Sequence, residues 1–292
     1  DNGLGLSLSA DGSVLWTGFH SSNATGDAVV LEHVGGLDTF VAKVSVHGSY
    51  AWIRSVGRIG DDSGEAIAAD PSGGFYVASN VASESSSDLF LRRYDQNGSL
   101  SWDENVGGAS SDTATSIVAD SSGLYVAGSF EGTATFEDNL LTSQGSSDAY
   151  LAKYTSSGSL AWAQRFGGSG GVNANRVALD PFGNPSILGS FEGSITVGGQ
   201  ILVSEGAHDL FLAKASSSSG KPIWSRIIGG ETMDSAGGLS IGSEGSTHLA
   251  SHYLGHSLTI DSQTVTSTGS DGFAVLKLGA PHGLPTSSLP EI

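Results

Sequence analysis

The chain contains no cysteine. That excludes disulfides, zinc–thiolate sites and cysteine catalysis, and it leaves the compartment open, because a large domain needs no covalent staple. Positive charge is scarce: 12 Lys and Arg against 30 Asp and Glu give a formal net charge of −18 over 292 residues. Such a surface repels phosphate backbones and anionic lipid, which disfavours nucleic acid and anionic membranes as partners. A basic surface or a divalent cation is permitted. No stretch approaches the roughly 18 apolar residues of a membrane-spanning helix, so no membrane insertion is expected, and no signal peptide opens the chain. What is abundant is glycine, 43 residues, together with many Ser and Thr, the composition of a turn-dense all-β protein.

One stretch recurs. Aspartates at 38, 88, 148, 209 and 271 open copies of one pattern, with spacings of 50, 60, 61 and 62 residues. A fixed period of this size is the signature of a repeat architecture. Each copy begins with an apolar run ending in a cation (DTFVAK, DLFLRR, DAYLAK, DLFLAK), whose aromatic and β-branched residues read as a strand. Gly48, Gly98, Gly158 and Gly220 then mark a turn, and a second strand carries Trp52, Trp102, Trp162 and Trp224, each four residues after its glycine. The strand closes at Gly57, Gly107–Gly108, Gly167–Gly168 and Gly229–Gly230. A second hairpin fills the rest of the period. Its turns begin at Ala10, Ala69, Ala119, Leu179 and Ile241, and its return strands contain Trp16, Tyr76, Tyr125, Ile187 and Leu249.

Two hairpins make four strands, the content of one propeller blade. The expected fold is therefore all-β: a single β-propeller domain over 1–280, with five four-stranded blades at about 1–57, 62–108, 112–168, 173–230 and 234–279. Residues 281–292 hold three prolines (Pro281, Pro285 and Pro290) and no tryptophan, and read as a poor outer strand or a linker. A fragment of a six- or seven-bladed propeller is the alternative.

The pattern, from about Gly5 to Gly279, resembles the bacterial SBBP β-propeller repeat of secreted and surface proteins. The resemblance implies the propeller fold and a secreted or cell-surface compartment, in which case this is a mature or excised form, a monomer or part of a larger chain. It implies no catalytic residue. A weaker likeness, to the tryptophan-docking motif of quinoprotein propellers, rests on Ala152, Gly158 and Trp162. The Asp expected two residues after that alanine is Tyr154 here, and Val44 and Tyr94 in other copies, which argues against a quinoprotein.

The connection between hairpins runs 18 or 19 residues in four repeats (19–38, 130–148, 191–209, 253–271) but only 8 in the second, from Asn80 to Asp88. Alternating apolar residues in the long versions predict a small extra hairpin on each of four blades. Tight turns lie at the other end, so the face carrying the Gly-Gly connections and the inserts is the expected binding face. Asp62, Asp112 and Asp234 each follow the first Gly of their connection by five residues, with Val172 and Asn173 at that place in blade four. Around a channel mouth these carboxylates would take calcium or a polar ligand; as repeat residues they would cap their own loops. The starting aspartates Asp38, Asp88, Asp148, Asp209 and Asp271, and the four outer-strand tryptophans, read as structural. Glu131 and Glu192 occupy equivalent positions, and with pairs such as Asp61–Asp62 they are the carboxylates a glycoside-acting enzyme would need.

His248, His252 and His256 have helical metal-site spacing, but the repeat puts them on a strand and the loop after it, where four residues span about 13 Å. Gly167, Ser169 and Gly171 spell G-x-S-x-G without the strand-to-helix setting of a nucleophile elbow. Of the two sequons, at Asn23 and Asn97, the second falls in a hairpin turn. Every residue singled out is assigned to the repeat. The expected function is thus a binding module for a glycan or protein partner, not an enzyme, with a glycoside-acting enzyme and a structural spacer as alternatives.

Overall fold

The computed structural model describes residues 1–26, 29–82, 86–255, 257–261 and 263–279. The readings made for His256 and for the tail at 281–292 lie outside them. Every regular element among the described residues is a β-strand. The strands form five main sheets, the blades of a five-bladed β-propeller. By contact they group into two compact units, residues 1–142 with 152–163, and 143–151 with the residues from 164 onward.

In the first unit, sheet one joins Asn2–Leu8, Val14–His20, Asp38–Val44 and Tyr50–Ser55 in chain order. Sheet two continues the pattern with Asp62–Ala69, Phe75–Ala82, Ser87–Tyr94 and Leu100–Gly108. Between them Leu15 and Val41 of blade one pack on Ile67, Phe75, Val77 and Tyr94 of blade two, with Trp52 against the cluster. The Trp52 ring stacks on Phe75 at 5.5 Å, and Gly98 of the next blade's turn lies over it. Trp102 repeats this on blade three: its Nε1 donates to Ser156 O at 3.0 Å and Gly158 sits against its ring.

In the second unit, sheet four is built from Val172–Leu179, Pro185–Phe191, Asp209–Ala215 and Pro222–Gly229, and sheet five from Asp234–Ile241, Thr247–Leu254 and Asp271–Leu278. Leu188, Leu210, Leu212 and Ile228 pack on Leu249, Tyr253, Ala274 and Leu276, and Trp224 joins this core. Each such side chain contributes about 1.5–3 kcal/mol on burial. Sheet three, Asp112–Asp120, Gly123–Phe130, Asp148–Thr155 and Leu160–Gly168, has its strands divided between the two units.

All five innermost hairpins carry a bulge at the same place: Gly3/Gly5, Gly64/Ala66, Ala114/Ser116, Ala174/Arg176 and Ala236/Gly238. An extra residue there increases the local twist that a blade requires.

The inserted hairpins depart from expectation in their placement. Three of the four add to the outer strand of the preceding blade instead of extending their own. The hairpin Thr133–Phe136 with Asn139–Thr142 pairs Thr135 and Ala134 with Gly107 and Gly108. Ser194–Val197 pairs with Gly167 and Gly168, and Ser257–Ile260 with Ile228 and Gly229. Sheets two, three and four are thereby six-stranded rather than four-stranded. The hairpin of repeat one (Ala24–Gly26, Val29–Leu31) stands as a two-stranded sheet, with Leu31 packed on Phe40 and Ala42.

This pairing explains the Gly-Gly motif. A Cβ at the second glycine would collide with a hairpin carbonyl, that of Thr133 for Gly108, Ser194 for Gly168 and Ser257 for Gly230. A Cβ at the first would collide with the aspartate that opens the neighbouring strand: Asp38 for Gly57, Asp148 for Gly167 and Asp209 for Gly229. Blade one has Arg58 at the second place, and among the described residues repeat two brings no hairpin to it.

Gly168→Ala should therefore lower stability by about 1–3 kcal/mol, because the hairpin must move or detach. Gly238→Ala, with open space around the new methyl, should stay within about 0.5 kcal/mol. Chemical denaturation of the two variants checks the contrast; equal effects would refute the packing account. Trp162, 8% exposed and edge-on to Tyr125 at 6.1 Å, should cost about 3–5 kcal/mol when cut to Ala in the same measurement.

Candidate functional site

The candidate carboxylates are held by local backbone. Asp62 and Asp234 accept the amides of Arg58 and Gly230, the latter at 3.0 Å. The starting aspartates do the same: Asp38 accepts from Val34 at 2.6 Å, Asp148 from Gln144 at 3.0 Å and Asp209 from Glu205 at 2.8 Å. In each case the donor lies four residues upstream, so one carboxylate closes one tight connection. Asp112 is aimed at the Gly108 amide in the same way, but neither of its oxygens reaches hydrogen-bond geometry.

The two series of aspartates meet. The first glycine of the Gly107 connection has Asp88 and Asp112 together over its Cα, and Asp209 lies beside Asp234. Asp38 likewise acts on Asp62. Each of these junctions thus holds a buried or, for Asp88, half-buried carboxylate pair with at least one oxygen unpartnered. Blade four has Val172 where the second member would be, and there Asp148 pairs with Arg165 at 2.6 Å. Sequence reading treats the two series separately; their meeting depends on strands brought together from different blades.

Burial dominates the electrostatics. It pushes Asp112 up to about 7, with the charges of Asp88 and Glu131 adding to it. It pushes Asp234 up to about 7 as well, with Asp209 adding. Asp62, Asp88 and Asp209 are raised for the same reason, loss of water around the charged form.

Asp271 differs from the other starting aspartates. Its side chain is 61% exposed and lies 3.5 Å from His252 Nε2. Its strand has one more residue between Asp and Lys, and Gly272 takes the position opposite Tyr253 that Asp209 holds opposite Phe191. Glu131 and Glu192 are exposed at equivalent places, their amides bonded to Ser111 O and Gly171 O. The Asp61 carboxylate accepts the Leu37 amide at 2.8 Å.

His248 and His252 sit opposite Lys277 and Phe273 on one strand. Among the described residues no three His, Asp or Glu side chains group closely enough to hold a metal ion. Ser169 lies in a connection between two strands, with no helix following. Asn97 is in a turn, its amide on Asp95 Oδ1 at 2.8 Å.

No family model matches this chain, and no curated protein does. Among solved structures it is similar to the crystal structure of puromycin hydrolase S511A mutant complexed with PGG. The identity is 12% and the TM-score 0.45, over 86% of this chain and 36% of that one. The chain thus spans about a third of that protein's length, and nothing of its activity carries over.

The carboxylate pairs set a pH dependence. A buried acid with its pKa raised from 3.8 to about 7 takes up protons in the folded state that the unfolded chain does not. Its contribution is harmless below the unfolded value, becomes increasingly destabilising as pH rises from about 4 to 7, and is constant above. Asp112→Asn should remove this slope and raise stability at pH 8 by roughly 1–3 kcal/mol. Thermal or urea unfolding from pH 4 to 8 checks it; parallel curves for parent and variant would show that Asp112 is ionised without penalty.

Proposed function

We propose that this chain is a secreted or cell-surface binding module with no catalysis of its own, holding a protein or glycan surface on the inserted hairpins of its blades. The observation that carries the reading is the outer strand of those hairpins. Leu140 is 64% exposed, Ile201 67% and Val203 60%, each on the last strand of its sheet. Exposed aliphatic side chains on an edge strand with free backbone groups are what a partner strand or a flat apolar surface takes up. A non-binding spacer would gain nothing from them and would risk aggregation. The likeness to SBBP repeats supports the compartment.

The position of the acids weighs against a glycoside-acting enzyme. Such chemistry needs two carboxylates facing a sugar from opposite sides. Here the carboxylates that meet, as in the Asp209–Asp234 junction, are buried in the connections between strands, and Glu131, though exposed, has the buried Asp112 as its acidic neighbour.

The test is a glycan array and immobilised bacterial, plant and algal polysaccharides, run beside a reducing-sugar release assay, and followed by cross-linking on intact cells to capture protein partners. Retention without release is expected, and Ile201→Ser with Val203→Ser should weaken it about tenfold while leaving the melting temperature within a few degrees. Sugar release lost in Asp112→Asn would establish the enzyme. Absence of both retention and cross-linking would leave the spacer.

A further inference from the structure

The repeat is broken at the outer end of blade one. Among the described residues repeat two supplies no hairpin between Phe75–Ala82 and Ser87–Tyr94, so no hairpin pairs with the outer strand Tyr50–Ser55, and sheet one stays four-stranded. The sequence departs from the repeat at the same place. Arg58 stands where other blades have the second glycine, Gly108, Gly168 and Gly230. Arg92 stands where they have Ala42, Ala152 and Ala213. Arg54 completes the group, two residues after Trp52 as Glu104 is after Trp102.

These three guanidiniums line one cavity of about 370 Å³, with Tyr94, Leu100 and Asp103 around them. The whole lining belongs to the first compact unit. Arg54 is committed on one side: it donates to Gly98 O and, at 3.0 Å, to Asn97 O. Arg58 lies 3.9 Å above the Phe90 ring and reaches Asp103 at 3.3 Å. Arg92 is only 4% exposed, lies 4.8 Å from the same ring, and its Nη1 has no hydrogen-bond partner. Asp62 lies behind the lining and faces the charges of both Arg92 and Arg58; one of its oxygens takes the Arg58 amide and the other bonds to neither guanidinium. The lining thus holds three cations against one carboxylate, in a chain of net charge −18.

A buried guanidinium with an unmet donor is costly. Other blades avoid the cost with alanine at this position. A residue that serves the repeat recurs in it, and this one does not. The fork of a guanidinium is shaped to bind two oxygens of a carboxylate or sulfate at once, and does so most strongly away from water.

We propose that the cavity between blades one and two is an oxyanion-binding site, in which Arg92, Arg58 and Arg54 receive a sulfate or carboxylate group, free or carried on an acidic sugar. The site shares no residue with the inserted hairpins and stands whether or not they bind a partner.

The experiment titrates the full chain with sodium sulfate, sodium glucuronate, glucose and sodium chloride at matched ionic strength, read by calorimetry and by melting temperature. Sulfate or glucuronate should bind saturably and raise the melting temperature, since a ligand of the native state stabilises it in proportion to occupancy; glucose and chloride should do neither. Tighter binding of glucuronate than of sulfate assigns the site to an acidic sugar, and the reverse order to a free anion. Arg92→Ala and Arg58→Gly restore the residues of the other blades, so both should remain folded, and each should weaken binding by about tenfold or more. If Arg92→Ala does not fold, Arg58→Gly and Arg92→Lys decide the matter by the same titration. No saturable binding of either anion to the parent, or unchanged affinity in the variants that fold, would overturn the proposal.

Discussion

The structure depends on one arrangement: a buried aspartate that accepts a backbone amide four residues upstream while lying against a residue that can only be glycine. It is made by Asp38, Asp148 and Asp209 against Gly57, Gly167 and Gly229. Each fixes the start of a strand relative to the end of the strand beside it. The aliphatic layers that hold the sheets together are non-directional and would tolerate sliding. The carboxylate–amide bond and the glycine contact are directional, and they set the register in which those layers meet.

The arrangement has an electrostatic cost. Where two such aspartates share a junction, as with Asp88 and Asp112 or Asp209 and Asp234, burial and mutual repulsion raise the acids toward neutrality. The fold answers in one case by substitution: Val172 removes the second acid and Arg165 neutralises the first. The remaining pairs keep both acids, each still in its place in the connection.

The same geometry separates residues that maintain the repeat from residues that do not. The second glycine recurs because an inserted hairpin lies across it, and it is free to change only where the hairpin is missing. Arg58 uses that freedom. Arg92 replaces a buried alanine in the adjoining strand, and with Arg54 the two form the cationic cavity of an otherwise acidic protein. A short connection and two irregular residues, each minor in isolation, are one feature in space.

The sequence by itself determined the period, the two hairpins of each repeat, the tryptophan positions and hence the blade and its number, because these rest on local signals: two-residue alternation, turn glycines and a fixed spacing. It also separated His248 from His252, since strand rise is a local quantity. It left open what each insert pairs with, because the hairpin of one repeat meets the glycines of the repeat before it, and backbone hydrogen bonds carry no mark of their partner in the residue pattern. For the same reason it did not bring together the two series of aspartates, the one-residue offset that exposes Asp271, or the three arginines. Those were decided by tertiary structure, which joins strands distant in sequence and thereby sets which charges are buried side by side.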